Sequence, residues 1–218
     1  MKFVKTALAS ISLVALLSAC GSTQPEEKEV KHSGFLSDYS QMKVVDKDDD
    51  SINYVYDSTI DRSKYKKVII ESIDYYPKAP TSKQMSDKVK KEIEQFVEKN
   101  MTTIVGKKYE ITDQKGPDTF VLRSAITGLT IDDKELSAYQ YIPIAFLVTA
   151  ASGGLSDMSV KIKIEAEALD SESGKVITSF TKLDAGETLA GEDTQLEFKH
   201  VEPLLTKWFK ALDTRVNQ

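Results

Sequence analysis

The side chains that could do chemistry here are one thiol, two imidazoles and many carboxylates. Cys20 is the only cysteine, so it has no partner for an internal disulfide and no companion thiol for a metal site. His32 and His200 stand far apart and make no metal-ligand spacing. No Gly-x-Ser-x-Gly elbow, phosphate-cradling glycine loop or His-Glu-x-x-His helix occurs. Asp132 and Asp133 could exchange protons with a substrate, but such neighbours arise by chance among 34 acidic residues. Asp46, Asp48, Asp50 and Asp57 fall at ligand positions of a calcium loop. Ser51 stands where that loop needs glycine for its sharp turn, and Asp57 where it needs a bidentate glutamate. A solvated acidic turn is the simpler reading. The sequence therefore predicts no catalytic residue, no metal ligand and no cofactor.

Cys20 is different because of what precedes it. Lys2 and Lys5 give a short positive region, and Ala7 to Leu17 is apolar apart from two serines. That run falls short of the roughly 20 residues a membrane span needs and suits a secretory signal core. Leu17-Ser18-Ala19-Cys20 resembles the lipobox of bacterial lipoproteins. The resemblance implies a thiol acylated by diacylglycerol, cleavage just before Cys20, and acylation (commonly palmitate) of the new amino group. Two or more chains hold a protein firmly on a bilayer where one does not. Gly21 after the cysteine, rather than aspartate, points by the same resemblance to the outer membrane, with the domain facing the periplasm.

Composition bounds the rest. Without Lys2 and Lys5, 27 basic residues face 34 acidic ones. This balance argues against nucleic-acid binding and against electrostatic docking on anionic lipid. Residues 21 to 33 are rich in Ser, Thr, Gln, Pro, Glu and Lys, with little to bury. The expected organisation is a signal peptide over 1–19, a lipidated flexible tether over 20–33 and a single periplasmic α+β domain over 34–218.

The elements of that domain follow from periodicity. Ile52 to Tyr56 predicts a short edge strand, and Val68-Ile69-Ile70, continuing toward Tyr75, a buried one. Thr81-Ser82-Lys83-Gln84 matches a capping box, and Met85, Val89, Ile93, Phe96 and Val97 follow at helical spacing. Tyr109 to Thr112 predicts a short strand, Gly116-Pro117-Asp118 a turn, and Phe120 to Ile131 a long strand with a bulge where its phase shifts. Met158 to Leu169 alternates Val160, Ile162, Ile164 and Ala166 with Lys161, Lys163, Glu165 and Glu167, as a half-exposed antiparallel strand does. Asp170 to Gly174 turns it into a returning strand from Lys175 to Leu183, a hairpin. The last helix carries Leu204, Leu205, Trp208 and Phe209, with Pro203 in its first turn and Trp208 as a core anchor. The expected fold class is α+β, a mainly antiparallel sheet with two amphipathic helices packed on it.

The placed segments together resemble an uncharacterised Gram-negative lipoprotein family, a domain of unknown function numbered thirty-three thirteen. The residues that carry the likeness include Ser33-Gly34-Phe35-Leu36 with Asp38-Tyr39-Ser40, Tyr65 before Val68-Ile69-Ile70, and Gly116-Pro117-Asp118-Thr119 with Leu122-Arg123. Ala125-Ile126-Thr127, Tyr141-Ile142-Pro143, Leu169-Asp170-Ser171, Gly174-Lys175 and Trp208 extend it to nearly all of Ser33 to Leu212. The turn Asp170 to Gly174 departs from the family, which more often has Val-Thr before the glycine. The resemblance implies an envelope lipoprotein and supplies no activity.

Tyr141 to Ala151 carries no charge and is too short to span a bilayer. Such a run is either core or a contact surface. The leading expectation is a non-catalytic binding or accessory module, tethered to the membrane by its lipid. It would meet another envelope protein through Tyr141, Ile144, Phe146 and Leu147. The runner-up is a carrier or sensor of a small apolar ligand or lipid, with the same segment lining its pocket. A hydrolase of wall or glycan comes third, since it would need two carboxylates across a deep cleft.

Overall fold

A β-branched run, a patterned helix and a second strand, in that order, make a crossover, and this crossover sets the sheet. The computed structural model describes residues 32–47, 51–78, 85–133, 158–189 and 195–216. Its strands are β1 (Lys43–Lys47), β2 (Ser51–Asp57), β3 (Lys67–Ile70), β4 (Asp74–Tyr75), β5 (Glu110–Ile111), β6 (Thr119–Asp133), β7 (Met158–Asp170) and β8 (Val176–Leu189). The helices are α1 (Asp87–Val105) and α2 (Glu202–Val216), the latter entered through a 3₁₀ turn at Phe198–His200. The sheet runs β1-β2-β8-β7-β6-β3-β5, with β4 also on β6.

The chain is α+β, but the sheet is mixed rather than mainly antiparallel. β1–β2, β2–β8, β8–β7 and β7–β6 are antiparallel, whereas β3–β5, β3–β6 and β4–β6 are parallel. The cause is α1. A helix between two strands carries the chain back along the sheet, so the next strand enters in the same sense as the one before it. A further correction is that β2 is not an edge strand, because β1 pairs outside it. Asp46 lies in β1 and accepts from Asn53, and Asp57 ends β2 beside Arg62, so these two acids are not gathered in a calcium loop.

Helix α1 begins later than its capping box predicts. Its N-cap is Ser86, whose hydroxyl accepts from the Val89 amide at 3.3 Å. Thr81 to Gln84 lie outside the described residues. The expected stripe holds: Val89, Ile93, Val97, Met101 and Ile104 are buried on one face. Each fully buried aliphatic side chain contributes about 1.5–3 kcal/mol. Phe96 and Phe209 meet at 6.1 Å and bind α1 to α2. The bulge in β6 falls between Ile126 and Gly128. The β7–β8 hairpin forms as expected, with Gly174 at φ +68°, a left-handed conformation that suits glycine.

The turn into β8 is tied by Asp170. Its carboxylate accepts from Lys64 Nζ at 2.8 Å, Tyr65 OH at 2.8 Å, and the Ser173 amide and hydroxyl at 2.9 and 2.7 Å. The Lys64 ammonium foremost, then Ser173 and Tyr65, hold this carboxyl well below the usual range.

The outer face of β7 overturns its alternation. Lys161, Lys163, Glu165 and Glu167 point away from the helices as expected, yet each is at most 2 % exposed. Residues 32–42 form a strap over that face. Gly34, at φ +87°, lets the strap turn, and the Tyr39 hydroxyl closes it by accepting from the Gly34 and Leu36 amides. The same hydroxyl donates to Glu165 Oε2 at 2.7 Å, and its pKa is pushed up to about 12, chiefly by burial. Lys163 Nζ lies 2.5 Å from Glu165 Oε1. Glu167 accepts from the Ser37 amide and hydroxyl and pairs with Arg123 at 3.2 Å. Arg123 in turn stacks on Phe35, 4.7 Å from its ring centre.

Two stability predictions follow from these groups. Replacing Glu165→Gln removes the countercharge of the buried Lys163 amine, so it should cost about 3 kcal/mol in urea unfolding; a loss below about 0.5 kcal/mol would mean that the pair contributes little. Asp170→Asn should cost about 2 kcal/mol at pH 7. Its folded carboxyl pKa lies below the unfolded value near 3.9, so its contribution is complete above that value and is lost as pH falls through the folded one. The gap between wild type and Asp170→Asn should therefore narrow below about pH 4, and a gap independent of pH would refute the charge-based account.

Candidate functional site

The inner face of the sheet is only partly filled by the two helices. On β7, Ile164 points at α1 and α2, but the next inward residues are Ala166 and Ala168. Small side chains there leave space under α2. The result is a cavity of about 710 Å³, within the roughly 300–1,000 Å³ typical of small-molecule sites.

Its floor is Phe120 of β6, Ile164 and Ala168 of β7, Phe180 of β8 and Val55 of β2. Its roof is Val97 and Met101 of α1 with Trp208, Phe209 and Leu212 of α2. Tyr65 and Tyr109 flank Phe120 edge-on, with ring centres 5.8 and 4.9 Å away. Burial pushes the Tyr65 hydroxyl pKa up, and the bond it donates to Asp170 adds to the effect. These walls offer dispersion contacts and exclude water.

The polar groups stand at the rim. Lys182 is half-buried; its Nζ lies 3.0 Å from Asn53 Oδ1, 3.7 Å from Asp184 Oδ2 and 5.3 Å over the Trp208 ring. Trp208 Nε1 donates to Asp184 Oδ2 at 2.8 Å. Burial holds the Lys182 amine below its ordinary pKa, against the pull of Asp184. Arg62, Lys108, Lys207 and Arg215 are exposed around the same opening. Arg62 pairs with Asp57, which also accepts from Thr178.

The arrangement can hold an apolar body beside fixed positive charge. Its titratable lining is tyrosines, cations and Asp57. Among the described residues no three His, Cys, Asp or Glu side chains could hold a metal ion, and no helix is long and apolar enough to cross a membrane.

The sequence-predicted site residues fall elsewhere. Cys20 and the segment with Tyr141, Ile144, Phe146 and Leu147 lie outside the described residues. His32 is exposed and stacked on Tyr39, at 4.1 Å between ring centres, in the outer strap. His200 is buried before α2, its Nδ1 accepting from the Glu197 amide at 3.1 Å. The two imidazoles serve different local contacts. Trp208 anchors the core as expected and also walls the cavity, a role its helical spacing does not announce. The pattern Lys182, Phe180 and Thr178 on alternate positions of β8 was the available signal: a mixed inner face rather than an apolar one.

A family model described as "Protein of unknown function (DUF3313)" matches residues 31–212, and the chain belongs to that family. It is 27% identical over 203 residues to "Uncharacterized lipoprotein YdcL" of Escherichia coli (strain K12), covering 91% of this chain and 90% of the relative. Two solved structures align more distantly. The PelC dodecamer from Paraburkholderia phytofirmans matches with TM-score 0.37 and 16% identity, over 71% of this chain and 96% of that one. Lipoprotein GNA1162 from Neisseria meningitidis matches with TM-score 0.33 and 8% identity, over 70% and 98%. At such scores the likeness carries no functional argument.

The Asp184 pairing can be tested directly. Asp184→Ala leaves a buried indole N–H without its acceptor and Lys182 without its nearest carboxylate. It should cost about 2 kcal/mol and shift the emission of Trp208, the only tryptophan. Unchanged stability and emission would remove this anchor from the account.

Proposed function

We propose that this member of the family is a lipid-anchored module of the bacterial envelope that binds an apolar or amphipathic component of that compartment without transforming it. The observation that carries the reading is the cavity of about 710 Å³ under α2, walled by aromatic and aliphatic side chains. A void lined by apolar atoms forfeits dispersion contacts that an apolar guest restores. The non-catalytic part is supported by where the buried acids are spent. Glu165 and Glu167 serve Lys163, Arg123 and the strap on the opposite face, and Asp184 serves Trp208. None of them faces a second carboxylate across the cavity.

The anchor in this proposal is Cys20, acylated after removal of residues 1–19 and joined to the domain at 34–218 by the tether 20–33. The outer membrane, with the domain in the periplasm, is the proposed location. The similarity to an uncharacterized lipoprotein over 91% of the chain supports the anchor. The charge-free run with Tyr141, Ile144, Phe146 and Leu147 stays, as a proposal from sequence, the surface that meets another envelope protein.

Full-length protein extracted from membranes and weighed by native mass spectrometry tests this. We expect acyl groups on Cys20 and a non-covalent apolar adduct near one per chain. Ala211→Phe, at an exposed α2 position that lines the cavity, should remove the adduct while leaving the melting temperature within about 2 °C. A clean apo mass for both proteins would refute the binding reading, and Cys20→Ala still pelleting with membranes would refute the anchor.

A further inference from the structure

The cavity is apolar, but the charge around it is one-sided. Among the described residues lining it, Arg62, Lys108, Lys182, Lys207 and Arg215 are cationic and Asp57 alone is anionic. Arg62 already occupies Asp57. The protein as a whole is the reverse, with 34 acidic residues against 29 basic ones. Five cations at one opening are therefore a local inversion of the background charge. Lys108, Lys207 and Arg215 make no ion pair among the described residues.

The depth of the charge matters too. Lys182 reaches furthest in, with 24 % of its side chain exposed. It lies between the Trp208 ring and Asn53, and Asp184, its nearest carboxylate, already accepts from the Trp208 indole. Asp46 is the other acid acting on it, and Lys207 the nearby cation that opposes it. A half-buried amine at the boundary between an aromatic pocket and a ring of exposed cations is a site for the head of a molecule whose body is apolar.

Resting on the binding reading above, we infer that the ligand is an anionic amphiphile: a single acyl chain lying against Phe120, Phe180 and Phe209, with its carboxylate or phosphate head on Lys182, Lys207 and Arg215. A neutral lipid would satisfy the walls and leave the rim cations idle. A free anion would satisfy the rim and leave the walls empty. Charge-assisted hydrogen bonds to carboxylate or phosphate are about twice as strong as neutral ones, so the head should dominate selectivity. The chain should supply most of the binding free energy through buried CH₂ groups.

Trp208 supplies the assay. It is the only tryptophan and lines this cavity, so quenching by a brominated chain reports insertion here. Full-length acylated protein in amphipol would be titrated with dibromostearate, with a lysophosphatidate bearing the same chain, and with dibromostearyl alcohol. We expect saturable quenching by both anions and affinity about tenfold weaker for the alcohol. Lys207→Glu combined with Arg215→Glu, both at exposed positions of α2, should abolish the preference while leaving the alcohol's affinity unchanged. Tighter binding of the stearate or of the lysophosphatidate would identify the head, and either supports the inference. Equal affinity for alcohol and anions would overturn the head-group inference and leave the cavity reading standing. No saturable quenching by any of the three would overturn both.

Discussion

The Lys163–Glu165 pair, fully buried on the outer face of β7, is the constraint on which the rest of the sheet depends. Two charges taken out of water are expensive unless geometry and further hydrogen bonds compensate. The compensation here comes from outside the sheet. Tyr39 and Ser33 both donate to Glu165 Oε2, and Ser37 covers Glu167. The strap is thus held by groups that cannot face each other alone. Burial holds the Lys163 amine below its ordinary pKa, while Glu165 opposes that shift. The outer face of the sheet is therefore an interior, though its sequence alternates as a surface would.

With charges placed outside, apolar burial concentrates on the inner face, where two helices must cover the long strands. They cover the side nearest the crossover well, through Val89 and Ile93 of α1. Toward β2 the filling fails. Ala166 and Ala168 shorten the floor, and the inner positions of β8 alternate Thr178, Phe180 and Lys182 instead of repeating aliphatics. Dispersion is short-ranged, so a gap of this kind loses contacts on every wall. The cavity is the part of the inner face that packing leaves open, and the polar strand positions border it on the side of β2.

Much of the fold is legible in the sequence because local rules govern it. The α1 stripe, the β6 bulge, the Asp170–Gly174 hairpin and Pro203 in the first turn of α2 each depend on neighbours a few residues apart. The errors have non-local causes. The parallel pairing of β3 with β6 is set by the passage of α1 between them, and the strand–helix–strand order carried that signal. The alternation of β7 gave the correct facing but not the environment, since the strap that bonds Glu165 lies more than 100 residues earlier. Beyond the mixed alternation of Thr178, Phe180 and Lys182, the cavity was not legible, for the same reason. Its lining comes from β2, β6, β7, β8 and both helices, and no spacing rule joins Tyr65, Ala168 and Leu212.

The two faces of the sheet serve the proposed function in different ways. On the proposed anchor, the stretch 20–33 spans at most roughly 50 Å, and it joins the domain at the strap. The described chain begins on the outer face, at the strap held through Glu165 and Glu167, while the cavity lies on the inner one. Glu165 and Glu167 alternate along β7 with the inward-facing Ile164, Ala166 and Ala168. Confinement within reach of a bilayer also raises the local concentration of any amphiphile dissolved in it. A site there needs only modest intrinsic affinity, which suits a cavity that is partly open and ringed by exposed cations rather than closed over its ligand.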